Sequence, residues 1–230
     1  MKQAYLATAL LAAVAITSTP ACADERNPWN GLYVGLNGGY SWQSVSGIFN
    51  NAGNATDLSG IDLNGAMVGG QLGYNYQSGQ FLLGIEGDAS TLVDGDSVTN
   101  DAALATFEHL NGDISYLASI RGRLGWAINN WLLFGTVGWG FTEFRFAETA
   151  PNATPAFSGK LRLKDEGVVF GGGVEWMLSY GVSLRAEYLR YDLGASTPIP
   201  GSFTDADAGD HVSFDNIDVA RAALNIKLSP

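Results

Sequence analysis

From Leu32 onward the chain repeats a two-residue alternation: apolar and aromatic side chains hold one parity, and small, polar or charged ones hold the other. A β-strand sends successive side chains to opposite faces, so this period specifies strands with one apolar and one polar face. In the first strand Leu32, Val34, Leu36, Gly38, Tyr40 and Trp42 oppose Tyr33, Gly35, Asn37, Gly39, Ser41 and Gln43. Ala66 to Tyr76 and Phe81 to Ile85 carry the second and third, with Glu86 and Asp88 on the polar parity of the third. Ile114 to Trp126 makes the fourth, with Arg121 and Arg123 on its polar parity, and Trp131 to Phe141 makes the fifth, whose parity slips near Glu143 as at a bulge. The sixth, Val168 to Leu178, has Glu175 on its polar side. The seventh, Val182 to Tyr188, has Arg185 and Glu187; the eighth, Ala220 to Leu228, has Arg221, Asn225 and Lys227.

The connections alternate as well. Long ones, of about 18 to 24 residues, occupy 43–62, 90–112, 147–166 and 193–216, against a few residues at the three intervening turns. Such asymmetry belongs to a transmembrane barrel with short periplasmic turns and long extracellular loops. The reading is therefore all-β: an eight-stranded antiparallel up-and-down transmembrane β-barrel with four long extracellular loops. The aromatic residues agree, because amphipathic rings settle at membrane interfaces. Trp29, Tyr74, Tyr76, Phe81, Trp126, Trp131, Trp176 and Tyr180 lie beside the short turns, and Tyr40, Trp42, Tyr116, Trp139, Phe141 and Tyr188 lie toward the long loops. A soluble ligand-carrying barrel would invert the pattern, with bulky apolar groups inside and charge outside.

The N-terminus carries Lys2, an apolar stretch from Leu6 to Ile16 and the small-residue triplet Ala21-Cys22-Ala23, the pattern of a secretory signal peptide. The expected organisation is residues 1–23 as a cleaved signal peptide and 24–230 as the barrel domain, exported to a Gram-negative outer membrane. Cleavage after Ala23 removes Cys22, the single cysteine, and with it thiol chemistry and cysteine-ligated metal. A net charge of −11 repels nucleic acid. The expected partners are outer-membrane lipid, lipopolysaccharide and the barrel-assembly machinery; oligomeric state leaves no signature in the sequence.

Parity gathers Glu86, Asp88, Glu175 and Glu187 with Arg121, Arg123, Arg185, Arg221 and Lys227 inside the barrel. Eight strands leave an interior that side chains can fill, so these charges form either a structural network or a narrow ion path lined by Arg121 and Arg123. Gly171-Gly172-Gly173 lacks the Lys-Ser/Thr and helix of a phosphate loop and reads as strand curvature. The spaced carboxylates Asp205, Asp207 and Asp210 lack the closing glutamate of a calcium loop, so no metal site is assigned. His109 and His211, both in expected loops, are the candidate haemin contacts; otherwise no cofactor is expected. No spacing brings Ser, His and a carboxylate together, and an enzyme is not expected.

Several stretches resemble a known family: Trp29-Asn-Gly-Leu-Tyr-Val-Gly-Leu-Asn-Gly-Gly-Tyr, Gly70-Gln-Leu-Gly-Tyr-Asn-Tyr-Gln, Gly84-Ile-Glu-Gly-Asp, Ser119-Ile-Arg-Gly-Arg-Leu-Gly-Trp, Gly172-Gly-Val-Glu-Trp and Ala186-Glu-Tyr-Leu-Arg-Tyr-Asp-Leu-Gly. Their order is similar to that of the small outer-membrane β-barrels of alpha-proteobacteria, porin-like relatives of the OmpA and OmpX barrels. The resemblance implies a structural or surface-exposed role, with surface antigens, porins and haemin binders among the relatives, and it transfers no catalytic residue. Such barrels commonly place an aromatic residue, read by the assembly machinery, where Leu228 stands here. The function expected is therefore a structural surface barrel supporting envelope integrity, with a narrow porin and a haemin-binding receptor as the alternatives.

Overall fold

The computed structural model describes residues 27–51, 54–62, 64–95, 109–150, 157–193, 196–198, 211–214 and 216–228. The expected signal peptide and the spaced aspartates of the last loop lie outside the described residues. Eight strands close into a barrel: β1 (Gly31–Trp42), β4 (Gly65–Ser78), β5 (Phe81–Gly95), β6 (His109–Ile128), β7 (Trp131–Ala150), β8 (Phe157–Ser179), β9 (Val182–Asp192) and β12 (Ile217–Lys227). Every neighbouring pair is antiparallel, and β1 closes the ring by pairing with both β4 and β12. The four remaining strands, β2 (Ser44–Asn51), β3 (Asn54–Asp62), β10 (Ser196–Pro198) and β11 (His211–Phe214), form a separate sheet in the order β10-β11-β2-β3.

The alternation sets the faces as read from sequence. Leu32, Val34, Leu36, Tyr40 and Trp42 are exposed on the barrel's outside while Tyr33, Asn37 and Ser41 are buried within, and the other strands repeat the pattern. Exposed apolar side chains in such number are unstable in water and at home in hydrocarbon. Three tight turns join the strands at one end. Gly79, Asn129 and Gly181 adopt positive φ there, a region open to glycine and tolerated by asparagine. Aromatic pairs reinforce this rim: Phe81 meets Trp126 edge-on at 4.3 Å, and Trp131 stacks on Trp176 at 5.6 Å.

Four expectations need correction. Two of the segments read as long loops, 43–62 and 147–166, are largely strand among the described residues. The β6–β7–β8 ladder continues to Thr149 opposite Ser158, and the 43–62 segment folds as the β2–β3 pair, because backbone groups beyond the membrane still gain from ladder pairing. The slip near Glu143 is a register shift on the partner strand, between Ile114 and Tyr116, which leaves Thr142 and Glu143 both buried. Trp29 does not join the outer aromatic rim. It turns into the barrel mouth, 5% exposed, where its ring packs with Leu82, Ala127, Leu132 and Phe134 and its backbone N–H donates to Gln77 Oε1 at 2.9 Å. Nor is the interior polar throughout. That apolar cluster closes the short-turn end, and Met67, Leu117, Val169, Leu189, Tyr191, Ile217 and Val219 are buried nearer the opposite end. The charges therefore occupy a layer between two apolar ones.

Candidate functional site: the charged layer of the lumen

The charged layer is built from inward positions three to seven residues above the turns, where neighbouring strands bring opposite charges into register. Glu86 of β5 stands opposite Arg121 of β6, Glu175 of β8 opposite Arg185 of β9, and Glu187 of β9 opposite Arg221 of β12. These three cross-strand pairs meet in the middle because the barrel is narrow. Among the described residues the layer holds four arginines and four acids, all at most 4% exposed at their side chains, so their formal charges cancel.

Each arginine is shared. Arg121 donates Nη2 to Glu86 at 2.5 Å and Asp88 at 3.0 Å, Nη1 to Glu187 at 2.8 Å, and Nε to Ser119 Oγ at 3.0 Å. Arg221 reaches Asp88 at 2.8 Å and Glu187 at 2.9 Å. Arg185 donates to Glu86 at 2.6 Å and Glu175 at 3.0 Å, bridging the two halves of the layer. Arg123 donates to Glu175 at 3.0 Å and to the Tyr33 hydroxyl at 2.7 Å, and its guanidinium lies 4.2 Å from the Phe134 ring centroid. Tyr33 in turn donates to Glu86, so one phenol joins a cation to an anion. Charge-assisted bonds of this kind are about twice as strong as neutral ones.

An amide relay buttresses the layer from one side. Ser90 donates to Asn37, Asn37 to Gln71, Gln71 to Asn225, and Asn225 to Glu175, with the four bonds spanning 2.6 to 3.0 Å. Ser183 also donates to Glu175. These uncharged members were absent from the sequence-based set. Inward parity pointed at Tyr33, Asn37, Gln71 and Asn225, but nothing in the pattern says which polar residues bind a carboxylate.

Eight of the nine sequence-selected lumen charges thus meet in one cluster: Glu86, Asp88, Arg121, Arg123, Glu175, Arg185, Glu187 and Arg221. Lys227 does not. Its Nζ donates to the Pro28 carbonyl at 3.3 Å and lies 5.3 Å from the Tyr180 ring, at the short-turn mouth. Parity alone placed it inside, whereas a lysine at a strand end carries its charge on a long stem to the interface. The two histidines are strand residues, not loop residues. His109 opens β6 opposite Thr149, and His211 opens β11 opposite Ile48 and Pro198, so the two stand in different sheets.

The packing accounts for several inward glycines. A Cβ at Gly138 would lie 2.0 Å from the Ile120 carbonyl oxygen, and one at Gly171 would lie 2.0 Å from that of Tyr188. Neighbouring strands approach too closely there for any side chain, which leaves the lumen to the long arginines.

The outer membrane protein β-barrel domain family matches residues 9–220. The 31 kDa outer-membrane immunogenic protein of Brucella melitensis is 28% identical over 239 residues, covering 97% of this chain and 95% of the relative. The 22 kDa outer membrane protein of Rhizobium leguminosarum bv. viciae is 28% identical over 165 residues, covering 71% of this chain and 63% of the relative. Among solved structures, Ail, the attachment invasion locus protein of Yersinia pestis, is 14% identical with a TM-score of 0.45, over 86% of this chain and 99% of that one. With its closed eight-stranded barrel and apolar outer face, the chain belongs to the outer membrane protein β-barrel domain family and resides in the outer membrane.

Proposed function

We propose that this protein is a closed, structural surface barrel that contributes to envelope integrity and does not conduct solutes. The observation that carries the reading is the mutual neutralisation of four arginines and four acids with side chains at most 4% exposed, which fill the lumen between two apolar layers. A selectivity filter needs charges that face water and exchange partners with a passing ion. Arg121, the first candidate for such a ladder, instead has all three guanidinium nitrogens engaged by Ser119, Glu86, Asp88 and Glu187.

The test is single-channel recording from the refolded barrel in a planar bilayer, with heat-dependent gel mobility as the check on folding. A folded, silent barrel is the expected result. Reproducible discrete openings would replace this reading with a narrow porin and make Arg121 and Arg123 the first positions to substitute.

A further inference from the structure

The outer wall of the barrel carries a groove of about 740 Å³ near the short turns. Three rows of residues, in register across the strands, build it. Leu82, Gly125 and Phe134, paired directly on β5, β6 and β7, form the floor. One residue toward the turns, Phe81, Trp126 and Leu133 make one wall; one residue away from them, Leu83, Leu124 and Gly135 make the other. Tyr76 and Ser78 of β4 close one end, opposite Leu83 and Phe81. The other end is open, because Gly135 stands opposite Gly172 of β8 and neither carries a side chain.

The residue types explain the depression. Leu82 and Phe134 send their side chains inward to the apolar cluster, and Gly125 has none, so only backbone faces the membrane along the floor. The edge-on contact of Phe81 with Trp126, with centroids at 4.3 Å, stiffens the wall on the turn side. Across from it the wall is cut down at Gly135, where an added Cβ would meet nothing nearer than the Gly171 carbonyl oxygen at 3.8 Å. A side chain fits there, and it would stand in the groove.

Position and chemistry identify the occupant. The groove residues lie within four residues of the strand ends at the short turns. At roughly 3.3 Å per residue and a tilt of about 40°, that is within about 10 Å of the periplasmic rim, in the leaflet made of phospholipid. No described lining residue is charged, so the groove is suited to an apolar chain and not to a head group. Four strands at about 4.8 Å spacing give it a length of about 14 Å. A second copy fits poorly: a two-fold contact uses the same surface twice and would set concavity against concavity, enclosing a void. We propose that this groove binds one acyl chain of a phospholipid of the periplasmic leaflet, lying across β4 to β7 with its head group at the turn rim. The site is on the lipid face, so it stands whether or not the lumen conducts.

The test mixes refolded barrel in neutral detergent with phosphatidylethanolamine and, after gel filtration, counts the lipid retained per barrel by native mass spectrometry. The parent should retain about one phospholipid, equally well with phosphatidylglycerol in its place and at high salt, because no charge lines the groove. Gly135→Leu blocks the open end and should bind at least about tenfold more weakly, since one methylene in an apolar pocket is worth about that much. Gly38→Leu, at an outward glycine of β1 away from the groove, should match the parent. If Gly135→Leu fails to regain its heat-dependent mobility, Phe81→Ala, which removes the wall on the turn side, carries the same expectation. A parent that retains no phospholipid, a G135L barrel that retains it like the parent, or retention lost as salt rises would each overturn the proposal. So would parent barrels that pair in lipid-free detergent and come apart in G135L, which would give the groove to a second copy.

Discussion

Glu86 is the position where the charged layer is most exposed to a single change. Its carboxylate, fully buried, bonds Arg121 at 2.5 Å, Arg185 at 2.6 Å and the Tyr33 hydroxyl, with Arg123 at 3.7 Å and Arg221 at 3.9 Å. Glu86→Gln preserves shape and removes one negative charge, leaving four buried arginines against three acids. Replacing a whole buried ion pair by apolar groups can be neutral, but removing one partner strands the other, at about 3–5 kcal/mol. In lipid vesicles the tryptophan-monitored urea midpoint should therefore fall by roughly 2 M at a slope near 2 kcal/mol/M. Pairing it with Arg185→Gln restores the balance at three against three. The double variant should then lie above the sum of the single losses by at least about 1 kcal/mol, because the two groups are in direct contact. An E86Q barrel that unfolds within about 1 kcal/mol of the parent would refute the idea that mutual neutralisation holds the layer together.

Tyr33→Phe removes the hydroxyl shared by Glu86 and Arg123 and should cost about 1.5–3 kcal/mol in the same unfolding assay, the range for a bond to charged partners. Gly138→Ala drives a Cβ to 2.0 Å from the Ile120 carbonyl and should lower stability by about 1–3 kcal/mol. Gly122→Ala, on the outer face with no neighbour nearer than 3.8 Å, should refold with stability at or slightly above the parent's. Trp176→Leu breaks the stack with Trp131 at 5.6 Å and should cost about 0.5–1.5 kcal/mol beyond its change in buried area, with the loss absent when Trp131 is already leucine.

Parity made the barrel legible. A one-residue slip would turn Arg121 and Arg123 into hydrocarbon, so a sequence that keeps them in phase with Ser119 and out of phase with Ile120 and Leu124 specifies its register. Strand length was less legible, since β6 to β8 continue past the apolar band on polar and mixed residues that leave no membrane signal. Trp29 shows the limit at the other end. It lies before the first strand, where parity has no phase, and the packing of its ring against Leu82, Ala127, Leu132 and Phe134, with its backbone N–H on Gln77, holds it inside. The lumen set shows a third limit. Parity sorts inside from outside but gives no height, so Lys227 was grouped with Arg221 although five residues of strand separate the two. The two apolar layers escaped for the same reason: Leu82 shares the inward parity with Glu86, and only its distance from the turn separates them.

The arginines have a second consequence, set before folding. A chain bound for the outer membrane must cross the inner one without stopping there. Arg121 and Arg123 break the stretch from Tyr116 to Ile128, which is otherwise apolar or small apart from Ser119. At about 2.5–3.5 kcal/mol each in the centre of a spanning helix, the two arginines oppose insertion by on the order of 5–7 kcal/mol. The chain as a whole has a mean hydropathy of only +0.05 although its folded surface is hydrocarbon-facing. An all-apolar lumen would remove the stranded-charge penalty that makes Glu86 so sensitive, but it would turn each strand into a continuous apolar run. Charges that cancel inside the barrel ease the conflict: they interrupt the apolar segments of β5, β6, β8, β9 and β12 in the extended chain and disappear from the energetics of the lipid face once the strands close.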